Sequence, residues 1–219
     1  MNRILNATKL DFYTSKSTLK MTSILLLLAV IIGAVSHGPY YAMILTMVFA
    51  VTSCGTISST QEKSHSEKLY GILPLKKSEM IVGRYLYALI IGLAYIVIDG
   101  IMGFMMSKVS GFRLDPLSFW ATLAIGFTYF GFAVGVSYPI YLKFTFAKAY
   151  IFTMLPMYII AVLILVITRK TNFTSNLGQI IQFFTDHLYL APIFGLLGGL
   201  ILLVVSALIA NLIYMHKEI

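Results

Sequence analysis

Charge, cysteine and nucleotide-binding motifs are scarce or absent in this sequence. Only 11% of its 219 residues are charged, against about 25% in soluble domains, which excludes an ordinary soluble fold. The single cysteine, Cys54, excludes an internal disulfide, and the four scattered histidines predict no metal site. The sequence contains no G-x-x-x-x-G-K-[ST] phosphate loop. We therefore predict that the chain is not an enzyme and has no catalytic residues.

Long apolar stretches take the place of these features. Hydrophobic residues make up 59% of the chain, and the mean hydropathy is +0.89. Because apolar runs of about 20 residues cross a bilayer as helices, the fold class is all-α, a polytopic membrane protein. A single domain covers residues 1–219, and turn residues divide its apolar sequence into six predicted spans. These are 20–36, 40–59, 80–106, 117–140, 149–168 and 192–214.

The basic residues predict the orientation of these spans. With the N-terminus inside, four of the 16 Lys and Arg residues fall outside, and the other twelve are cytoplasmic. The outer four are Lys108, Arg113, Arg169 and Lys170. Since cytoplasmic loops are enriched in basic residues, both termini are expected in the cytoplasm. The same bias explains the net charge of +8 without nucleic-acid binding.

Two segments are neither span nor simple loop. Residues 1–19 mix apolar and basic side chains, which predicts an amphipathic helix lying on the cytoplasmic membrane face. A solvated basic tail is the alternative. Residues 171–190 are too polar to span the membrane and too apolar for a free loop, so we expect an outer re-entrant or interfacial segment.

The polar sequence from Gln61 to Arg84 holds eight of the 24 charged residues. Within it, Leu69, Ile72 and Leu73 fall on one face of a short helix. Proline ends that helix, because it pushes the preceding residue out of helical geometry. Ser78 is then predicted to be the N-cap of span three. The segment is either a rigid knob that docks on a soluble partner or a solvated hairpin between two spans.

Its sequence also resembles that of a known family. Glu67-Lys68, Leu73-Pro74-Leu75-Lys76-Lys77-Ser78-Glu79 and Val82-Gly83-Arg84-Tyr85 are similar to the cytoplasmic loop of bacterial ABC-2 type transporter permeases. The six spans, the amphipathic N-terminus and the outer segment also match that family. In size and sequence character the chain resembles the permease subunits of the staphylococcal phenol-soluble modulin exporter, and bacteriocin and lantibiotic self-protection permeases.

The resemblance implies a function for the loop. Residues 61–78 would contain the coupling helix, seated on a separate ATPase subunit that binds ATP and Mg²⁺. This chain itself would hold no cofactor. The contact set would be Glu67, Lys68, Leu69, Tyr70, Leu73, Pro74, Lys76 and Lys77. The permease would act in the bacterial plasma membrane as a dimer, with a second copy or a sister permease, and transport an amphipathic peptide.

Asp99 is the one acid inside a predicted span. A carboxylate at the membrane centre costs roughly 2.5–3.5 kcal/mol on insertion scales. At about 1.5 Å per residue, Asp99 lies about 22 Å along the helix from Arg84, in the outer half. It is either a contact for a cationic substrate or a second subunit, or an acid near the outer interface that reaches water.

Aromatic and glycine side chains in the later spans also have two interpretations. Tyr129 and its neighbours in span four line a peptide path or form a lipid-facing aromatic belt; the neighbours are Phe130, Phe132 and Tyr138. The G-x-x-x-G pairs Gly131/Gly135 and Gly195/Gly199 permit close helix contact, for which packing within the chain is the expected use.

The leading hypothesis is thus the membrane subunit of an ATP-driven exporter of amphipathic or antimicrobial-type peptides. An intramembrane hydrolase is disfavoured, because such enzymes need paired polar groups at one depth and Asp99 is alone. A secondary transporter, or a non-catalytic sensor or immunity component of the membrane, is the remaining alternative. Dependence of transport on a proton gradient rather than on ATP would favour it.

Overall fold

The computed structural model describes residues 2–35, 39–63, 76–110, 115–144, 149 and 189–215. These ranges contain five helices and no strand. The helices are α1 (Asn2–Val35), α2 (Pro39–Lys63), α3 (Lys77–Ser110), α4 (Pro116–Lys143) and α5 (Ala191–Met215). Each is long and apolar enough to cross a membrane, which confirms a multi-pass membrane protein that is helical over its described spans.

Several predicted features lie outside the described residues. These are span five beyond residue 149, nearly all of the outer segment 171–190, and residues 64–75 of the loop, which include Glu67, Lys68, Leu69, Tyr70, Leu73 and Pro74. The count of six spans, the re-entrant segment and the coupling helix therefore stay predictions. The loop is shorter than predicted, because residues 61–63 extend α2 and residues 77–78 begin α3.

The N-terminal segment differs from its prediction. Instead of an interfacial helix that ends before residue 20, α1 runs uninterrupted from Asn2 to Val35. The first glycine is Gly33 and no proline precedes Pro39, so nothing breaks the helix. The alternative of a solvated tail is also wrong, because Asp11 and Ser15 are buried.

The inward face of α1 is polar, and the outward face of its second half is apolar. Thr8, Ser15, Thr22 and Ala29, seven residues apart, are all buried. The exposed face instead carries large apolar side chains, among them Met21, Ile24, Leu27, Leu28 and Ile31. Polar side chains inside a bundle and apolar ones outside are the arrangement that a lipid surrounding stabilises.

The two G-x-x-x-G pairs bring α4 and α5 together within the chain. A Cβ added to Gly131 would lie 2.5 Å from the carbonyl oxygen of Gly199, and one added to Gly195 would lie 2.7 Å from Cβ of Ala124. The backbones can approach this closely because the glycines have no side chain. Packing within the chain, as expected, accounts for both motifs.

Helix α3 is in the middle of the described bundle and packs against each of the other four helices. The core around it holds large buried side chains, including Met47, Tyr87, Phe127, Phe130 and Tyr138. Phe130 and Tyr138 therefore belong to the core. The interpretation of the span-four aromatics as a lipid-facing belt is wrong for these two.

Candidate functional site

The start of α3 carries the two predicted contact residues that the structure describes. Lys76 is exposed and precedes the helix, and Lys77 is its first residue. The predicted N-cap was wrong: Ser78 lies in the first turn, and the Glu79 carboxylate accepts a hydrogen bond from the backbone N–H of Lys76 at 2.9 Å. A glutamate reaching back in this way is the second half of a capping box. We call the end of the bundle from which residues 64–75 emerge the loop end.

One turn further on, the backbone of Gly83 contacts α1. Thr8 Oγ1 lies 3.1 Å from the Gly83 carbonyl oxygen, to which it donates, and 3.0 Å from that of Ile4. A Cβ added to Gly83 would come within 2.7 Å of Cβ of Ala7 and 3.2 Å of the Ile4 carbonyl oxygen. A glycine is therefore needed here for α1 and α3 to approach.

The next residue, Arg84, joins α3 to both α1 and α2. Its Nη2 donates to Oε1 of Gln61 at 2.6 Å, and its Nε lies 3.8 Å from Oδ2 of Asp11. The side chains of Arg84 and Asp11 are 12% and 4% exposed. Because burial leaves a charge without water, removal of one partner of such a pair costs about 3–5 kcal/mol. Through Asp11 and Gln61, Arg84 therefore holds three helices together at the loop end.

The third residue in this row, Tyr85, contacts α4 and α5. Its hydroxyl oxygen lies 2.6 Å from Oγ of Ser206 on α5, and its ring packs edge-on against Tyr138 on α4, with centroids 5.2 Å apart. Ser206 Oγ in turn donates to the carbonyl oxygen of Gly135 at 2.6 Å. Since Ser206 has one hydroxyl proton, Tyr85 is the donor to Ser206.

A proline explains why the Gly135 carbonyl is available to Ser206. Span four was predicted to end near Pro139, but α4 continues to Lys143 with Pro139 inside it. Proline has no backbone N–H, so the carbonyl four residues earlier, that of Gly135, loses its helical donor. Ser206 supplies the replacement, which is how membrane bundles accommodate proline. The predicted end of the span was therefore about three residues early.

Asp99 is buried between α3 and α2. Its exposed fraction is 0%, so the interpretation as an interfacial acid that reaches water is wrong. Thr46 Oγ1 is hydrogen-bonded to Asp99 Oδ1 and to the Met43 carbonyl oxygen at 2.8 Å. Oδ2 of Asp99 has no hydrogen-bond partner within the described residues. A second polar contact lies nearby in sequence, where Ser53 Oγ is 3.4 Å from the Tyr95 hydroxyl.

Tyr129, the other predicted substrate-path residue, lies on α4 and is partly buried against the hydrophobic core. Within the described residues, no hydrogen bond joins it to Asp99. The two residues therefore stay separate candidates.

At the opposite end of the bundle, Asp115 caps α4. Its Oδ2 accepts hydrogen bonds from Oγ of Ser118 at 2.6 Å and from the Ser118 backbone N–H at 2.9 Å. These bonds hold the pKa of the Asp115 carboxyl below its usual value, the hydroxyl contributing more.

Sequence reasoning missed the contacts of residues 83–85. Gly83, Arg84 and Tyr85 are part of the stretch that resembles the family, which was the available signal. Their partners Thr8, Asp11 and Ser206 are far away along the chain, so no local pattern could reveal them. Among the described residues, no group of three His, Cys, Asp or Glu side chains is placed to hold a metal ion.

Comparison with known proteins agrees with this architecture. Residues 8–215 match the family model described as ABC-2 family transporter protein. No curated protein matches the chain. Because the match covers nearly the whole sequence, from within α1 to the end of α5, the chain belongs to the ABC-2 transporter family, as a membrane permease component of an ABC transporter.

Proposed function

We propose that this permease exports amphipathic or antimicrobial-type peptides and is driven by a separate ATPase subunit that docks on the loop between α2 and α3. Membership of the ABC-2 family supports the role of a permease and implies an ABC ATPase partner. The peptide substrate is supported by the resemblance to phenol-soluble modulin exporter permeases. The docking site is supported by the geometry of the loop end.

The proposed docking site is supported by the way in which α2 and α3 are joined where residues 64–75 connect them. The segment leaves α2 at Lys63 and enters α3 at Lys77, and the bond from Arg84 to Gln61 ties these two helices together at its base. A force that the ATPase applied to this loop would therefore be transmitted to α2 and α3. Apolar Leu69 and Leu73 would anchor it in the partner, while the charged Glu67, Lys68, Lys76 and Lys77 set orientation and association rate. Tyr70 and Pro74 complete the proposed contact set.

The same end of the bundle is rich in basic residues. Lys9, Lys16, Lys63 and Lys76 are on its three neighbouring segments, and Lys143 ends α4. By the bias of basic residues toward the cytoplasm, we place the loop end and both termini in the cytoplasm of a bacterial cell. The permease would work as a dimer of two copies or of two sister permeases, each with its ATPase.

Asp99 and Tyr129 are the proposed substrate-path residues. Asp99 has a carboxylate oxygen without a hydrogen-bond partner in the described bundle, which suits a cationic group of a peptide. Because its exposed fraction is 0%, α2 and α3 must separate before a peptide reaches it. Tyr129 would offer an aromatic surface to the apolar face of the same peptide.

The docking proposal is tested by charge reversal at the base of the loop. Lys76→Glu and Lys77→Glu combined with Leu73→Asp should abolish co-purification of the ATPase with the tagged permease. Lys108→Glu, which reverses an exposed charge at the opposite end of the bundle, is the matched control and should leave the complex intact. Unchanged binding and unchanged ATP hydrolysis in the triple variant would contradict the proposal.

Transport is tested in proteoliposomes with a labelled amphipathic helical peptide. We expect accumulation that requires ATP and persists when the proton gradient is collapsed. Accumulation driven by the gradient alone would favour the alternative of a secondary transporter. No movement of peptide under either condition would favour a sensor or immunity component.

A further inference from the structure

We propose that Gly83, Arg84 and Tyr85, which we call the α3 junction, transmit movement of the loop to the other helices of the permease. The inference rests on the proposed function, since it assumes an ATPase that moves the loop. It goes beyond that function by naming the positioning residues through which the movement spreads.

The α3 junction contacts every other described helix. Gly83 accepts a hydrogen bond from α1, and Arg84 bonds to α2 and pairs with α1. Tyr85 contacts Ser206 on α5 and Tyr138 on α4. Successive residues of a helix point in directions about 100° apart, so three consecutive positions reach neighbours on different sides.

The junction is also close to the loop. Gly83 follows Lys76 by seven residues, about 10 Å along the helix axis. No glycine or proline lies between these positions, and Glu79 caps the helix start. The intervening turns therefore move as one rigid piece, and a displacement at the base of the loop arrives at the junction undiminished.

The contact with α4 and α5 is the part of the junction that can be tested without touching a charge. Tyr85 donates to Ser206, and Ser206 donates to the Gly135 carbonyl that Pro139 leaves without a helical donor. Removal of either hydroxyl breaks the hydrogen bond that joins α3 to α5, while the ring of Tyr85 can stay against Tyr138. The glycine contacts between α4 and α5 persist, so the pair itself stays packed.

The test compares two hydroxyls that each join α4 to α5. Ser206→Ala removes the bond to Gly135 and the partner of Tyr85. Thr128→Val is the matched control, because Thr128 Oγ1 is bonded to the Gly195 carbonyl oxygen at 2.7 Å without contact to the junction. Tyr85→Phe is the second junction variant, since it keeps the ring against Tyr138 and loses only the hydroxyl. Each full-length permease is purified with the ATPase that accompanies it and reconstituted into liposomes.

The readout is the amount of labelled amphipathic peptide transported per ATP hydrolysed. A merely structural defect lowers the quantity of folded complex but leaves this ratio unchanged. We expect the ratio to fall in Ser206→Ala and Tyr85→Phe by about threefold to twentyfold, the range that hydrogen bonds between membrane helices span. The ATPase should remain bound, and Thr128→Val should keep the original ratio.

Two results would overturn the inference. Equal ratios in the original protein, both junction variants and Thr128→Val would show that the junction does not transmit movement, while the ATP-driven permease would stand. Absence of a bound ATPase, or of ATP-driven transport, in the original protein would overturn the proposed function and the inference with it.

Discussion

The close contact of α4 with α5 leads to a prediction about two adjacent glycines. A Cβ added to Gly199 would lie 2.8 Å from Cδ1 and 2.9 Å from the carbonyl oxygen of Phe127, whereas one added to Gly198 meets nothing within 4 Å. Gly199→Ala must push α5 away from α4, and overpacking of this kind typically costs about 1–3 kcal/mol. Gly198→Ala meets no clash and should gain up to about 1 kcal/mol, because alanine has a higher helix propensity.

Thermal unfolding of the purified permease, followed by the fluorescence of its single tryptophan, measures the difference. In a chain of this size, 1 kcal/mol corresponds to about 2–4 °C in the unfolding temperature. We therefore expect Gly199→Ala to unfold about 2–12 °C below the original protein, and Gly198→Ala at the same temperature or slightly above. Gly131→Ala, whose Cβ would meet the Gly199 backbone, should behave like Gly199→Ala. Equal unfolding temperatures for Gly198→Ala and Gly199→Ala would refute the packing assigned to this helix pair.

Four further predictions concern polar and cysteine side chains. Thr46→Val leaves Asp99 buried without its hydrogen bond and should lower the free energy of unfolding by about 1–3 kcal/mol. Asp99→Asn keeps a partner for Thr46, so it should spare stability yet reduce transport of cationic peptides relative to neutral ones, and equal transport of both would contradict the substrate contact. Because the pKa of Asp115 is depressed in the folded protein, its stabilisation of α4 is present above the ordinary value of about 3.9 and is lost as pH falls through the lowered pKa. In Asp115→Asn the unfolding temperature should therefore fall less steeply as the pH is lowered through this range. An unchanged dependence on pH would contradict the capping role of Asp115. Cys54 is 1% exposed, so it should react with maleimide only when the protein unfolds. Rapid labelling of the folded protein would contradict this burial.

The spans were predictable because a bilayer imposes one strong requirement. A helix that crosses lipid must be apolar over about 20 residues, and that pattern is visible in any sequence window. Spans one to four and span six correspond to α1, α2, α3, α4 and α5. Their ends were less predictable, because hydrogen bonds to other helices decide them. Pro139 is the clearest case, since its effect depends on whether another helix offers a donor such as Ser206.

The N-terminal helix shows the limit of composition as a guide. Its mixture of basic and apolar residues is typical of a helix lying on a membrane surface. In the structure the basic side chains of Lys9, Lys16 and Lys20 are exposed, whereas Asp11 faces inward and pairs with Arg84. Sequence composition shows which face of a helix is polar. Whether that face meets water, lipid or another helix depends here on Arg84, which is 73 positions away from Asp11.

Asp99 shows the same limit for a single site. Counting residues along α3 predicted its approximate depth, and the cost of an intramembrane carboxylate predicted that it would face the bundle or water. Thr46 could not be identified as its hydrogen-bond partner, because the register between α2 and α3 is set by packing along their whole length.

The α3 junction follows from the same reasoning. In a sequence, Val82-Gly83-Arg84-Tyr85 is a short stretch at the start of a span, and a basic residue there is explained by orientation alone. Orientation does not require that Arg84 be nearly buried, and an arginine left in the interfacial region would satisfy the basic-residue bias equally well. Here the charge of Arg84 contacts Asp11 and Gln61, and its burial costs desolvation free energy. A residue that serves only to orient the span would not have to be desolvated. A buried charge beside the loop that is proposed to receive the ATPase is better explained by mechanical connection than by topology.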